Sequence, residues 1–259
     1  MTTRIAVAGA TGRAGRHAVD ALTERGYEVV RMSRGTGVDV VTGEGLAAAL
    51  EGVQVIVDAA TGPSPDEEAA TSFFTAAARN LQTEGSHAGA RGLVVVSIIG
   101  CDKFSGGYGK AKMTHERISL EGPVPARILR ASQFHEFVED LVAWGTKDGV
   151  ATVPGMRMQP VAARAVGEAL ADLATGDADG PAITELAGPR EERLAELARR
   201  LVERRGDSLR IEEGSGPGDP YADLYESDAL LPGPGAILAG PTFSEWLDAA
   251  NPVPSGAQI

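Results

Sequence analysis

The chain has 259 residues, 43% of them hydrophobic, and its 24 Lys and Arg face 36 Asp and Glu for a formal net charge of −12. This is an ordinary balance for a globular domain, and no apolar run approaches the roughly 18 residues of a membrane span. A uniformly acidic chain repels phosphate backbones, which argues against nucleic acid as the main partner; any bound phosphate has to be held by a local group of donors.

The first strand is predicted at residues 5–8, too close to the start to leave room for a signal peptide. It runs into Gly9-Ala10-Thr11-Gly12-Arg13-Ala14-Gly15, a G-x-x-G-x-x-G turn opening a helix over 13–25, with Ala14, Ala18, Ala21 and Leu22 at helical spacing and Gly26 as its stop. Backbone N–H groups and the helix dipole converge there on a pyrophosphate, so Gly9, Thr11, Gly12, Arg13, Ala14 and Gly15 are read as a dinucleotide cradle.

The second strand, 28–32, ends Val30-Arg31-Met32-Ser33-Arg34. An acid at this point would accept from the adenosine ribose, whereas a basic residue pairs with a 2′-phosphate. Arg31, Ser33 and Arg34 therefore point to NADP(H) as the preferred cofactor, with NAD(H) still open. A short third strand is expected at 38–41, with Asp39 and Val40 bordering the adenine.

A short helix at 44–50 and a strand at 53–59 follow. The strand ends in the small residues Ala59, Ala60 and Thr61, which let a dinucleotide lie across it. Next come a helix over 66–81 with acids in its first turn, an apolar strand over 93–99, a helix over 109–120 and a strand over 126–129. Strands without polar alternation suit a parallel sheet covered on both faces, hence a doubly wound α/β fold. Ser97 interrupts one such strand, and Tyr108 and Lys112 follow at Tyr-x-x-x-Lys spacing on one helix face. In the expected arrangement the Lys112 ammonium lowers the Tyr108 pKa and holds a ribose, Tyr108 donates a proton to a carbonyl receiving hydride, and Ser97 orients the carbonyl oxygen.

Later helices are predicted at 134–144, 161–174 and 191–205, with a strand at 182–186; residues 214–220 and 232–235 are Gly/Pro turns. The division expected is a nucleotide-binding core over 1–131 and a part over 132–259 that completes the sheet and forms a smaller substrate lobe. His17, His87, His115 and His135, placed on helices except for His87 in a loop, have no metal-ligand spacing, and no metal is expected. Cys101 reads as a passive thiol and fits a cytoplasmic setting. Trp144 and Trp246 are expected to fill the lobe or a subunit contact.

Residues 7–15, 31–34, 97–102, 108–116 and 129–137, with weaker echoes at 159–161, 186–189 and 243–247, resemble an atypical short-chain dehydrogenase/reductase of the NAD(P)-binding, NmrA-like kind. The resemblance implies a Rossmann fold, and a loop of Ala131, Ser132, Gln133 and Phe134 beside the nicotinamide and substrate. Classical members complete a proton relay with an asparagine, for which Asn80 is the candidate. The expectation is an NADP-dependent reductase of a carbonyl, quinone or activated double bond in a small molecule, as a monomer or homodimer. The alternative within the same family is a non-catalytic NADP(H) sensor.

Overall fold

The computed structural model describes residues 3–176, 180–215 and 218–250. The chain divides into two compact units, Met1–Ala131 with Ala163–Leu186, and Ser132–Ala162 with Ala187–Ile259. In chain order the elements up to residue 131 are β1 (Arg4–Ala8), α1 (Arg13–Glu24), β2 (Glu28–Met32), α2 (Leu46–Leu50), β3 (Val55–Asp58), α3 (Glu67–His87), β4 (Gly92–Ile98), α4 (Gly107–Glu121) and β5 (Ala126–Ala131). Next come α5 (Phe137–Gly145), β6 (Thr146–Lys147), β7 (Val150–Val153), β8 (Arg157–Met158), α6 (Ala163–Thr175) and β9 (Ile183–Ala187). The last are β10 (Glu192–Arg193), α7 (Leu194–Arg205), β11 (Arg210–Glu213), α8 (Ala222–Glu226), β12 (Ile237–Leu238) and α9 (Phe243–Ala250).

The first unit is a Rossmann fold. Its strands run β9-β5-β4-β3-β1-β2, and every pairing is parallel. The continuous apolar strands are buried as a two-faced sheet requires: Ile5–Ala8 and Val55–Asp58 are buried at every position. The strand order reverses between β1 and β3, the switch point beside which doubly wound sheets bind ligands. Helices α1 and α6 pack closely, because a side chain on Gly167 would meet His17 Cβ at 2.5 Å and Ala18 N at 2.6 Å.

Three local expectations are corrected. Residues 38–41 form no strand. Gly37, Gly43 and Gly45 have positive φ, and side chains satisfy the backbone groups a neighbouring strand would otherwise take: Asn80 Nδ2 donates to Val40 O (2.9 Å) and Val41 O (2.8 Å), while Asp39 Oδ1 accepts from Val41 N (2.7 Å) and Thr42 N (3.3 Å). The helix expected to stop at 81 continues to His87, which is therefore helical. Gly85 stays inside it because the helix lies close to the sheet; a Cβ there would stand 2.7 Å from Ile56 Cδ1. The helix predicted at 134–144 starts at Phe137, and His135 lies in the preceding turn, where its N–H donates to Val161 O.

The second unit holds a β6–β7 antiparallel pair extended by parallel β11, the antiparallel pair β8–β10, and helices α5, α7 and α9. Strand β10 takes the residues just ahead of α7, which the sequence assigned to the helix. Here His135 is buried, donates from Nε2 to Pro241 O at 3.0 Å and contacts the rings of Phe243 and Trp246. Trp144 is 66% exposed and fills no core. Residues 216–217, in the turn predicted at 214–220, lie outside the described residues. No helix among the described residues is long and apolar enough to cross a membrane.

Gly15 is the tightest point beside the glycine turn: a Cβ would come within 2.1 Å of Gly9 O and 2.8 Å of Gly9 C, both backbone. Replacing it with alanine forces the turn away from α1 and is expected to cost about 2 kcal/mol. The check is the urea unfolding midpoint of Gly15→Ala against the parent chain.

Candidate functional site

The site is built at the carboxyl ends of β1, β3 and β4. The turn after β1 is fixed by Gly9 (φ +70°), whose carbonyl accepts from Gly12 N at 2.8 Å. A side chain on Gly9 would stand 2.5 Å from Ala59 O, so only glycine lets the β1 and β3 turns come so close. Gly12 caps α1 with no side-chain hydrogen bond, and the first turn of that helix carries no acid. The sequence thus leaves the positive helix end to an anion. Thr11 and Arg13 are exposed around the turn, while Ala14 and Gly15 are buried against it.

At the end of β2, Arg31 and Arg34 are exposed and Ser33 is half-buried. The Thr36 hydroxyl ties this turn by accepting from Ser33 N at 3.0 Å. Neither guanidinium has a carboxylate partner among the described residues, although the chain carries an excess of acids. Asp39 and Val40 sit in the tethered loop described above; the Asp39 carboxylate is engaged by its own turn. Asn80 Nδ2, the relay candidate, donates to that loop.

After β3, Ala59 is half-buried and Ala60 buried, and Ala60 N donates to Asp58 Oδ1 at 3.0 Å. Thr61 is exposed and shares a hydrogen bond with the Tyr108 hydroxyl, Oγ1 to OH 3.2 Å. Tyr108 lies in the first turn of α4, which Glu67 fastens from α3: its carboxylate accepts from Gly107 N (2.7 Å) and pairs with Lys110 Nζ (2.8 Å). Burial raises the Tyr108 pKa and the Thr61 hydrogen bond opposes the rise.

The expected coupling of Lys112 to Tyr108 is corrected. Lys112 is buried, and its ammonium donates to Val96 O (2.8 Å) and His115 Nδ1 (2.9 Å) and lies 4.3 Å from the centroid of the Phe74 ring. Acceptance at Nδ1 places the His115 proton on Nε2, which donates to Asp58 Oδ2 at 2.9 Å. The His115 ring stacks on Phe74 at 4.6 Å. Burial pushes Lys112 down to about 8 against the pull of Asp58 and Glu116. Burial and the Lys112 charge hold His115 neutral by lowering its pKa. For Asp58, burial raises the pKa, but His115 and Lys112 outweigh it, and the net direction is down. Asp58, His115 and Lys112 are thus one buried ion pair bridged by an imidazole.

Ser97 also differs from expectation. It is 1% exposed, and its hydroxyl lies 3.9 Å from Cys101 Sγ inside the protein. Beside it Arg130 grips Glu116 with two hydrogen bonds (3.0 and 2.8 Å) and reaches Asp102 Oδ1 at 3.1 Å. The Cys101 thiol donates to Glu116 Oε1 at 3.3 Å. Burial and that carboxylate push the thiol up to about 12, in keeping with a passive cysteine. Ala131 is buried, with its carbonyl accepting from Ile99 N. Ser132, Gln133 and Phe134 belong to the second unit; Ser132 Oγ donates to Gln133 Oε1 at 3.1 Å and Phe134 bridges Val161.

Sequence reasoning gave Asp58, Glu116 and Arg130 no role and read His115 as a helix histidine without metal-ligand spacing. The available signals were an acid closing an apolar strand, and a histidine and a glutamate at +3 and +4 from Lys112 on the same helix face. Among the described residues no cluster of histidine, cysteine and acids could hold a metal.

No family model matches the chain, and no curated protein is recognisably similar to it. Solved structures do match its fold. MoeE5 in complex with UDP-glucuronic acid and NAD superposes with a TM-score of 0.72 at 17% identity, over 95% of this chain and 99% of that one. The UDP-N-acetylglucosamine 4-epimerase of Bacillus cereus gives 0.70 at 15% identity, over 100% and 98%. The Escherichia coli NADPH-dependent quinone oxidoreductase QOR2, complexed with NADPH, gives 0.64 at 17% identity, over 95% and 99%.

Two measurements probe the buried groups. Asp58→Asn removes the counter-charge of Lys112 and is expected to cost about 3 kcal/mol of stability. Because the folded-state pKa of Asp58 is depressed, its contribution holds above about pH 4 and is lost as pH falls further, so the gap between parent and variant should narrow in acid. Cys101 should resist an aromatic disulfide reagent at pH 8 in the folded chain and react completely in urea.

Proposed function

We propose that the chain is an NADP(H)-dependent oxidoreductase of the atypical short-chain dehydrogenase/reductase type, which reduces a carbonyl, quinone or activated double bond of a small molecule. The observation that carries this reading is the half-buried Tyr108 hydroxyl, bonded to Thr61 at the carboxyl edge of a Rossmann sheet whose glycine turn is built for an anion. The turn fits a pyrophosphate because Gly9 and Gly15 leave no room for side chains and the end of α1 has no internal cap. The exposed, carboxylate-free Arg31 and Arg34 fit a 2′-phosphate better than a bare ribose. That folds of this kind hold NAD or NADPH in MoeE5 and QOR2 supports the reading.

When bound, the nucleotide supplies the hydride. Tyr108 supplies the proton: its pKa is raised, so it is a protonated donor at neutral pH, as a reductase requires. The buried Lys112 acts from below by holding the Val96 carbonyl at the end of β4. The loop Ala131, Ser132, Gln133 and Phe134 is assigned to the nicotinamide and substrate side, with the second unit as substrate lobe.

The test pairs binding with turnover. NADPH is expected to bind at least tenfold more tightly than NADH, and Arg34→Ala should erase most of the difference; equal affinity in the parent chain overturns the 2′-phosphate contact. With NADPH and 9,10-phenanthrenequinone, Tyr108→Phe should abolish turnover while leaving the NADPH Kd within about twofold.

A second reading, an NADP(H) sensor without turnover, draws on the engagement of Lys112 by His115 and Val96. It is favoured by tight binding that depends on nucleotide oxidation state together with inactivity toward a panel of quinones and ketones.

A further inference from the structure

Phe74 is the common neighbour of two separate polar groups. Its ring meets Tyr108 edge-on at 5.7 Å, and the same ring stacks on His115 and carries the Lys112 ammonium. On one side stand two hydroxyls, Tyr108 and the exposed Thr61. On the other stands an ion pair whose donors are all engaged: one Lys112 N–H at Val96 O, one at His115 Nδ1, and the remaining face of the ammonium at the ring. The charged groups around Tyr108 are accounted for in the same way. Lys110 on α4 is paired with Glu67 of α3, and Asp58 of β3 is bonded to His115. Among the described residues, the one polar side chain bonded to the phenol is Thr61.

We infer that Thr61, on the loop after β3, is the residue that positions the Tyr108 hydroxyl and exchanges its proton with solvent, while Lys112 serves the buried Asp58–His115 pair. The catalytic use of this pairing rests on the oxidoreductase reading; the pairing itself does not. As hydride reaches the carbonyl carbon, the Tyr108 O–H bond breaks and its proton goes to the carbonyl oxygen. The phenolate takes the Thr61 Oγ1 proton while an adjacent water gives its own proton to Thr61; the hydroxide left is neutralised by a solvent proton, so one solvent proton is consumed for each hydride. The 3.2 Å separation is long for two hydroxyls, as hydrogen bonds of a catalytic site commonly are before reactants bind. Direction of charge agrees with this assignment: the Thr61 hydrogen bond favours the phenolate against the burial that opposes it.

The experiment follows the Tyr108 ring carbon bearing the hydroxyl in the full-length chain labelled with 13C-tyrosine, titrated from pH 8 to 12, its resonance identified by its loss in Tyr108→Phe. Thr61→Val removes the hydroxyl at constant shape and should move the Tyr108 titration upward by about one pH unit. Thr61→Ser should restore it, and Lys112→Met should leave it in place. Thr61 is exposed, so its variants report even if Lys112→Met does not fold. In turnover of 9,10-phenanthrenequinone with NADPH, Thr61→Val should lower kcat about tenfold with KM for the quinone unchanged, and Thr61→Ser should recover it. A Tyr108 titration unmoved by Thr61→Val overturns the inference, as does a shift that follows Lys112→Met instead. Loss of NADPH affinity in Thr61→Val with no change in the titration overturns it too, since Thr61 would then be a nucleotide contact alone. Failure of the parent chain to bind NADPH removes the oxidoreductase reading and leaves the titration to decide the pairing.

Discussion

A lysine ammonium kept away from water organises the carboxyl edge of this sheet. An isolated charge in such a place is unfavourable by several kcal/mol, so Lys112 demands partners, and each partner fixes an element. Val96 O fixes α4 to the end of β4. His115 fixes the next turn of the same helix and passes the charge on to Asp58, which closes β3. Phe74 brings α3 to the group by stacking on the neutral His115 imidazole and by lying 4.3 Å from the Lys112 ammonium. Two parallel strands, β3 and β4, together with α3 and the helix that carries Tyr108, are locked by this one ion pair. The position of Tyr108 is a by-product of it, adjusted at the near end by Glu67 and Thr61.

The parts of the fold that were legible in the sequence are those where one residue's own chemistry decides its conformation. Gly9 and Gly15 have to be glycine because backbone passes backbone there, and the apolar runs at β1, β3 and β4 need a sheet covered on both faces. Residues 38–41 misled because their alternation suits a strand, whereas the groups that satisfy their backbone come from Asn80, about forty positions away. The helix expected to end at residue 81 runs on through Gly85, which is a contact with Ile56. In the second unit, strands of two to four residues are too short for periodicity to register.

The candidate site divides in the same way. Tyr-x-x-x-Lys spacing puts Tyr108 and Lys112 on one helix face, and they are on one face. Spacing says nothing about what the ends of two long side chains reach. Here an acid at the end of a different strand and a histidine one turn further along attract the ammonium more strongly than a phenol does. Ser97 was singled out as a polar residue in an apolar strand, and the same signal applies to Asp58. Only the folded chain shows that Ser97 belongs with Cys101 and Glu116, and that Asp58 is a counter-ion.

The tethered loop at 38–41 also decides where the sheet stops. Because it adds no strand, β2 is left as an open edge whose unpaired backbone groups could template another chain. Strand β2 carries Glu28 and Arg31 exposed along that edge, and Glu28 is held by Arg4 at 3.0 Å. Charges there discourage edge-to-edge association, so one short run of sequence guards against aggregation at the same place where it presents a guanidinium.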